Sequence, residues 1–188
     1  MIYSYLRKSG ENIMILGNSS PMTWDMVERI MSEKDFYPDI ERWLNKYLLE
    51  KYPLYHVETT HSSSTRTLEN VLREFDINFS EALLLKIKID IIGILQSKRR
   101  EELVFVEVKE KALTLKDLGQ LWGYTQLINP LESFLISPKG TGVLGELYNT
   151  LGRRDLFVYG TNSEKIMKVA QWVQSAKTID YHTMVPKS

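Results

Sequence analysis

Asp90, Glu107 and Lys109, followed by Gln120 and Tyr124 four residues apart, are the residues of this 188-residue chain whose types and spacing could do chemistry. They lie on KIKIDIIGIL, QSKRREE, LVFVEVK and TLKDLGQLWGY, which read as a β-hairpin followed by a helix. Alternation along the first strand predicts Ile87, Ile89 and Ile91 on one face and Lys88, Asp90 and Ile92 on the other, with Asp90 in mid-strand. On the second strand Val104, Val106 and Val108 share a face, and Phe105, Glu107 and Lys109 share the opposite one. A turn centred on Lys98 and Arg99 then sets Ile91 opposite Val106, Ile89 opposite Val108 and Asp90 opposite Glu107. Carboxylates placed directly opposite each other repel, and Lys88 facing Lys109 brings little relief, so the patch calls for a cation. A hard divalent ion answers that demand, since Mg2+ takes one or two protein carboxylates and completes its shell with water and substrate phosphate.

Taken in order and in their strand, strand, helix setting, Asp90, Glu107-Val108-Lys109, Gln120 and Tyr124 resemble the PD-(D/E)xK nuclease superfamily in its RecB-like form, with a Gln-x-x-x-Tyr helix motif. The likeness runs from a helix near Pro38 to a strand near Ile136, with Ile89 where the family's name-giving proline would stand. It implies an α/β fold with a restriction-endonuclease-like αβββαβ core, a central mixed sheet flanked by helices. It also implies metal-dependent hydrolysis of DNA phosphodiester bonds; with no separate target-recognition domain evident, a structure-dependent or repair and recombination type is expected. Asp90, Glu107 and the Val108 carbonyl would hold one or two Mg2+ (or Mn2+) ions. Lys109 would meet the scissile phosphate or the attacking water, as a point charge or as a base with a pKa lowered by desolvation. Gln120 and Tyr124 would orient Lys109, the water or a phosphate oxygen. A glutamate on the first core helix assists the metal in many such folds; Glu41 stands near that position and otherwise reads as a helix-surface glutamate. Two further readings use the same residues: a nuclease fold without catalysis, serving as a nucleic-acid-binding or scaffolding module, and a generic α/β domain in which Asp90, Glu107 and Lys109 form a local ion pair.

The elements that must position these residues fit a single domain, with an extension at 1–34, a core at about 35–138 and an α/β extension at 139–188. The length suffices for one full core, and 43% hydrophobic with 26% charged residues is ordinary globular composition. No run reaches a membrane span and no signal-peptide core stands near the N-terminus, so an intracellular, cytoplasmic protein without a membrane partner is expected. With no cysteine, disulfides, thiolate metal sites and thiol catalysis are excluded. Net charge is zero, which disfavours nonspecific coating of nucleic acid, but residues 1–80 carry −3 and residues 81–188 carry +3. The basic excess includes Lys98, Arg99 and Arg100 on the hairpin turn, Lys111 and Lys116 after it, Lys139, and Arg153 with Arg154. Any one of these clusters reads as a solvated face; gathered around one site they fit phosphate contacts to DNA. Nucleases of this fold commonly pair to address two strands, so a homodimer is expected.

Along the chain, IMILG suggests a strand and Thr23 an N-cap for the helix TWDMVERIMSE. Pro38 suggests the first turn of DIERWLNKYLLEKY, with Ile40, Trp43, Leu44, Tyr47 and Leu48 on its apolar face. LYHVETT reads as a strand whose His56 and His61 have no ligand geometry, SSSTRT as a mobile loop and TLENVLREFD as a short helix or an excursion before the hairpin. Thr114 with Asp117 starts the next helix, with Leu115, Leu118, Leu121, Trp122 and Thr125 inward and Lys116, Gln120 and Tyr124 on a neighbouring stripe. SFLIS reads as a strand, VLGELYNTLGRR as a helix, LFVYG as a strand and SEKIMKVAQWVQSA as a closing helix with Ile166, Ala170 and Val173 inward.

Overall fold

A computed structural model describes residues 4–8, 11–15, 22–23, 31–77 and 86–187. Strands β1 (Ser4–Lys8), β2 (Glu11–Ile15) and β3 (Met22–Thr23) form a small antiparallel sheet. Thr23, a residue type that favours strands, pairs with Ile13 in that sheet instead of capping a helix. The rest of the helix expected after it, residues 24–30, lies outside the described residues.

Helix α1 (Glu33–Lys51) begins five residues before Pro38. The Asp35 carboxylate accepts from the Ser32 N–H at 2.7 Å and from its hydroxyl at 2.8 Å, fixing the helix start there. Pro38 forgoes a single backbone hydrogen bond near that start, and burial of Phe36, Tyr37 and Ile40 compensates for it. After α1 come β4 (His56–Thr60), helix α2 (Leu68–Glu74), β5 (Ile91–Gln96), β6 (Glu101–Val108), helix α3 (Leu115–Ile128) and β7 (Glu132–Ser137). Helix α4 (Gly142–Asn149), the two-residue β8 (Val158–Tyr159), β9 (Lys165–Val173) and β10 (Thr178–Val185) complete the described chain. The main sheet has the order β10-β9-β7-β6-β5-β4, with β8 pairing to β9 off this path. It is mixed: β6, β7 and β9 run parallel, while β4, β5 and β10 join antiparallel. Helix α1 covers one face with Phe36, Ile40, Leu44 and Leu48 against Val104, Val106 and Trp172. On the other face α2, α3 and α4 contribute Leu68, Leu72, Leu118, Leu121 and Leu144 against Ile92, Phe105 and Leu135. The chain is therefore α/β with a mixed sheet between helical layers.

Several expectations change. The segment read as a closing helix is β9, because Met167 and Val169 enter one layer while Ala170 and Trp172 enter the other. A strand buried on both faces reads as a nearly continuous apolar run, which also satisfies a helical spacing. β9 pairs directly with β7, so residues after 139 continue the central sheet. LFVYG is strand only at Val158–Tyr159; its first two residues close a 3-10 turn, Arg154–Phe157. Within SSSTRT, Ser62–Ser64 form a 3-10 turn with Ser63 fully buried. Leu115 and Trp122, expected inward, are 53% and 44% exposed. The hairpin register is as expected, with Ile91 opposite Val106, but β5 starts at Ile91 and Asp90 is a bend before it. Ile87 and Ile89 consequently pack with Ile92 in the α3 layer, while Ile91 faces α1.

Candidate active site

Asp90 lies where the chain crosses from one face of the sheet to the other, just ahead of β5. Its Oδ2 accepts from the Val108 N–H at 2.8 Å, and its Oδ1 accepts from the Tyr37 hydroxyl at 2.7 Å. The first bond ties it to the end of β6, and the second ties it to the first turns of α1. Alternation along β6 sends Glu107 to the α3 side with Phe105, and there it is 3% exposed. Its Oε1 accepts from Lys109 Nζ at 2.8 Å and from Gln120 Nε2 at 3.0 Å. Glu107 Oε2 is buried and has no hydrogen-bond partner among the described residues.

The α3 cap explains how Gln120 arrives there. The Asp117 carboxylate accepts from the Thr114 N–H at 2.9 Å, as the capping-box pattern predicts, and Gln120 follows one turn later. Tyr124, one turn further, is half-buried against the α3-side core, and its hydroxyl has no partner among the described residues. The structure thus brings Asp90, Glu107, Lys109 and Gln120 together and leaves Tyr124, one turn beyond Gln120 on α3, without a polar contact among the described residues.

The charges at the site act on one another. Burial, reinforced by the Asp90 charge, pushes the Glu107 carboxyl up to about 7 despite Lys109. Burial opposes the Lys109 ammonium, but the charge and hydrogen bond of Glu107, with Asp90 and Glu33, hold its pKa above the ordinary lysine value. Lys109 is therefore a fixed positive charge, and a base with a lowered pKa is not what this environment makes. Burial and the bonded, charged Asp90 raise the Tyr37 phenol well above its usual range, which keeps it a donor. Glu33 is raised by burial, with Lys109 opposing and Asp90 adding to the shift.

Tyr37 and Glu33 were missed by the sequence reading, because a helix begun at Pro38 excludes both. Begun at Ser32, the helix carries Glu33, Tyr37 and Glu41 at successive four-residue steps on one stripe. Glu41 itself bonds His61 Nδ1, and the His61 ring lies 6.3 Å from that of Tyr37. His56 bonds Glu58 instead, at 2.9 Å, so the two histidines go to separate carboxylates.

The basic residues divide between the two ends of the hairpin. Ser137 Oγ donates to the Lys111 carbonyl at 2.7 Å and accepts from the Lys139 N–H at 3.0 Å, which sets both residues at the ends of β6 and β7 near Lys109. Lys116 is exposed on the first turn of α3, one turn before Gln120. Lys98, Arg99 and Arg100 lie at the hairpin tip, where Arg100 Nε donates to the Tyr55 hydroxyl at 2.6 Å. At about 3.3 Å per residue, the length of β5 puts that tip roughly 20 Å from Asp90.

Two carboxylates, one with a buried oxygen left over, are a donor set suited to a hard cation. No three His, Asp, Glu or Cys side chains converge for a metal among the described residues, but Mg2+ requires only one or two carboxylates. No protein-family profile and no curated protein matches the sequence.

Proposed function

We propose that this chain is a metal-dependent nuclease that hydrolyses DNA phosphodiester bonds, of a structure-dependent or repair and recombination type. The observation that carries the reading is Glu107: a buried carboxylate within reach of the Asp90 charge, with Oε1 held by Lys109 and Gln120 and Oε2 without a partner among the described residues. A buried anionic oxygen without a partner is costly, and a divalent cation shared with Asp90 removes both that cost and the repulsion. Asp90, Glu107 and the Val108 carbonyl would hold Mg2+ or Mn2+. When bound, such an ion lowers the pKa of water and polarises a phosphoryl oxygen.

The protein's own residues supply the rest. The Val108 N–H and the Tyr37 hydroxyl fix both oxygens of Asp90 before any substrate arrives. Gln120 pins Glu107 from the α3 side, so the two carboxylates keep a set separation. Lys109, half-buried and held in its charged form, offers a point charge to a scissile phosphate oxygen and stabilises charge that develops there. Lys111, Lys116 and Lys139 at the same end of the sheet suit contacts to flanking phosphates.

The test is cleavage of labelled single-stranded, duplex, flapped and four-way-junction DNA with Mg2+, Mn2+ or EDTA. Glu107→Ala and Lys109→Ala are run beside the wild type. Metal-dependent cutting abolished by both substitutions is the expected result. Binding without cutting, indifferent to EDTA and to both substitutions, would leave a non-catalytic nucleic-acid-binding module instead.

A further inference from the structure

On the opposite face from Glu107, two adjoining cavities of 390 and 210 Å³ lie between α1 and the β9–β10 hairpin, sharing Tyr47 and Tyr181 in their walls. At each a buried carboxylate holds two cations. Asp39 accepts from Lys177 Nζ and Gln174 Nε2, both at 3.1 Å, and pairs with Arg42. Glu132 accepts from Lys51 Nζ and the Tyr47 hydroxyl, both at 2.8 Å, and pairs with Lys168. Each cluster therefore carries one positive charge in excess, while Lys46 near Glu50 adds a further, balanced pair. In a chain with net charge of zero, a repeated excess on one groove is a local field and not a general property of the surface.

The carboxylates also immobilise the cations. Arg42 and Lys177 keep side chains 71% and 55% exposed while anchored on a nearly buried Asp39. Burial, together with neighbouring Lys51, depresses the Lys168 ammonium in spite of Glu132, as expected where positive charge is in surplus. Between the clusters stand aromatic rings: Trp43 stacked on Tyr47 with centroids 5.7 Å apart, and Tyr181, which is 54% exposed on the groove wall. Asp39 and Tyr47 are eight residues apart on one helix, roughly 12 Å at 1.5 Å of rise per residue. Two fixed positive centres at that spacing, with an exposed ring between, match a single nucleic-acid strand, whose phosphates recur along its length and whose bases stack on aromatic faces.

We infer that the groove between α1 and β10 binds a single-stranded nucleic acid, with the Asp39 and Glu132 clusters contacting phosphates and Tyr181 stacking on a base. The groove is separate from the site around Glu107, and its binding stands whether or not that site cuts. An acidic peptide would satisfy the charges but leave the exposed ring without a matching partner.

Fluorescence anisotropy with a labelled oligothymidylate of about 20 nucleotides, titrated with the full chain in EDTA across a salt series, reads this directly. The expected result is salt-sensitive binding that Lys46→Glu combined with Tyr181→Ser weakens by roughly tenfold, both being exposed side chains outside the buried clusters. Lys168→Met should weaken it as well and flatten the salt slope. Affinity of the double variant within about twofold of wild type would overturn the inference, as would absence of binding. Equal competition by polyglutamate would also overturn it, in favour of an acidic peptide, and tighter binding of duplex would overturn the single-strand assignment. Because binding is read in EDTA and cleavage in Mg2+, failure of one leaves the other standing.

Discussion

Replacing Glu107 by glutamine separates a structural carboxylate from one kept for a cation. The Glu107 carboxyl ionises near 7 in the folded chain against an ordinary value of 4.5, with burial the main cause and Asp90 the second. Between those two values the unfolded chain has released the proton while the folded chain retains it, so stability falls as pH rises through the window. At 1.36 kcal/mol per pH unit the wild type loses about 3 kcal/mol relative to Glu107→Gln, which carries no titrating group there. The assay is urea unfolding of both proteins in EDTA, at about pH 5 and at pH 8. The acid measurement sets the baseline cost of exchanging a neutral carboxyl for an amide; only the change between the two pH values is the signal. Adding Mg2+ at pH 8 should stabilise the wild type, by about 2.7 kcal/mol when the ion is at a hundred times its Kd, and leave Glu107→Gln unmoved. A stability difference that does not change with pH would refute the charge argument, and equal stabilisation of both proteins by Mg2+ would refute the metal argument.

The remaining predictions bear on the scaffold around that site. Tyr37→Phe deletes the 2.7 Å hydrogen bond to Asp90 and should cost about 1 kcal/mol in urea unfolding while raising the Mg2+ concentration needed for cleavage. Glu132→Ala leaves Lys51 and Lys168 without their shared carboxylate and should cost about 3 kcal/mol; a loss below about 1 kcal/mol would mean that the cluster is solvated. Gly142→Ala forces a side chain into a positive-φ position against the Leu113 backbone and should lower the unfolding midpoint by about 2 kcal/mol equivalent. Lys98→Ala with Arg99→Ala, at the far end of the hairpin, should change any cleavage rate by less than about twofold, because each exposed charge there is screened over that distance.

Legibility in the sequence followed local polar signals, such as turns and caps, more than burial. The β5–β6 register was readable because the charged turn around Lys98 and Arg99 marks the centre of the hairpin, although both strands are buried on both faces. Strand β9 was not, since Met167, Val169, Ala170 and Trp172 are all buried, across both layers, and a run without a polar face has no readable period. The capping pair Thr114 and Asp117 fixed α3, whereas Pro38 drew the start of α1 too late and hid the equivalent pair at Ser32 and Asp35.

That late start is why half of the support for Asp90 was invisible. A pattern read along β5 alone puts Asp90 in mid-strand opposite Glu107, and repulsion is then the whole argument for a cation. In the fold the strand has not yet begun at Asp90. Its side chain is held instead by one donor from β6 and one from α1, neither of which alternation can reveal. The asymmetry this produces is chemical: both oxygens of Asp90 have donors, while one oxygen of Glu107 has none among the described residues. Glu107, the more buried of the two, has as many donors as Asp90, but both of them go to Oε1. That crowding of donors on one oxygen leaves Oε2 as the position where an added positive charge would relieve most.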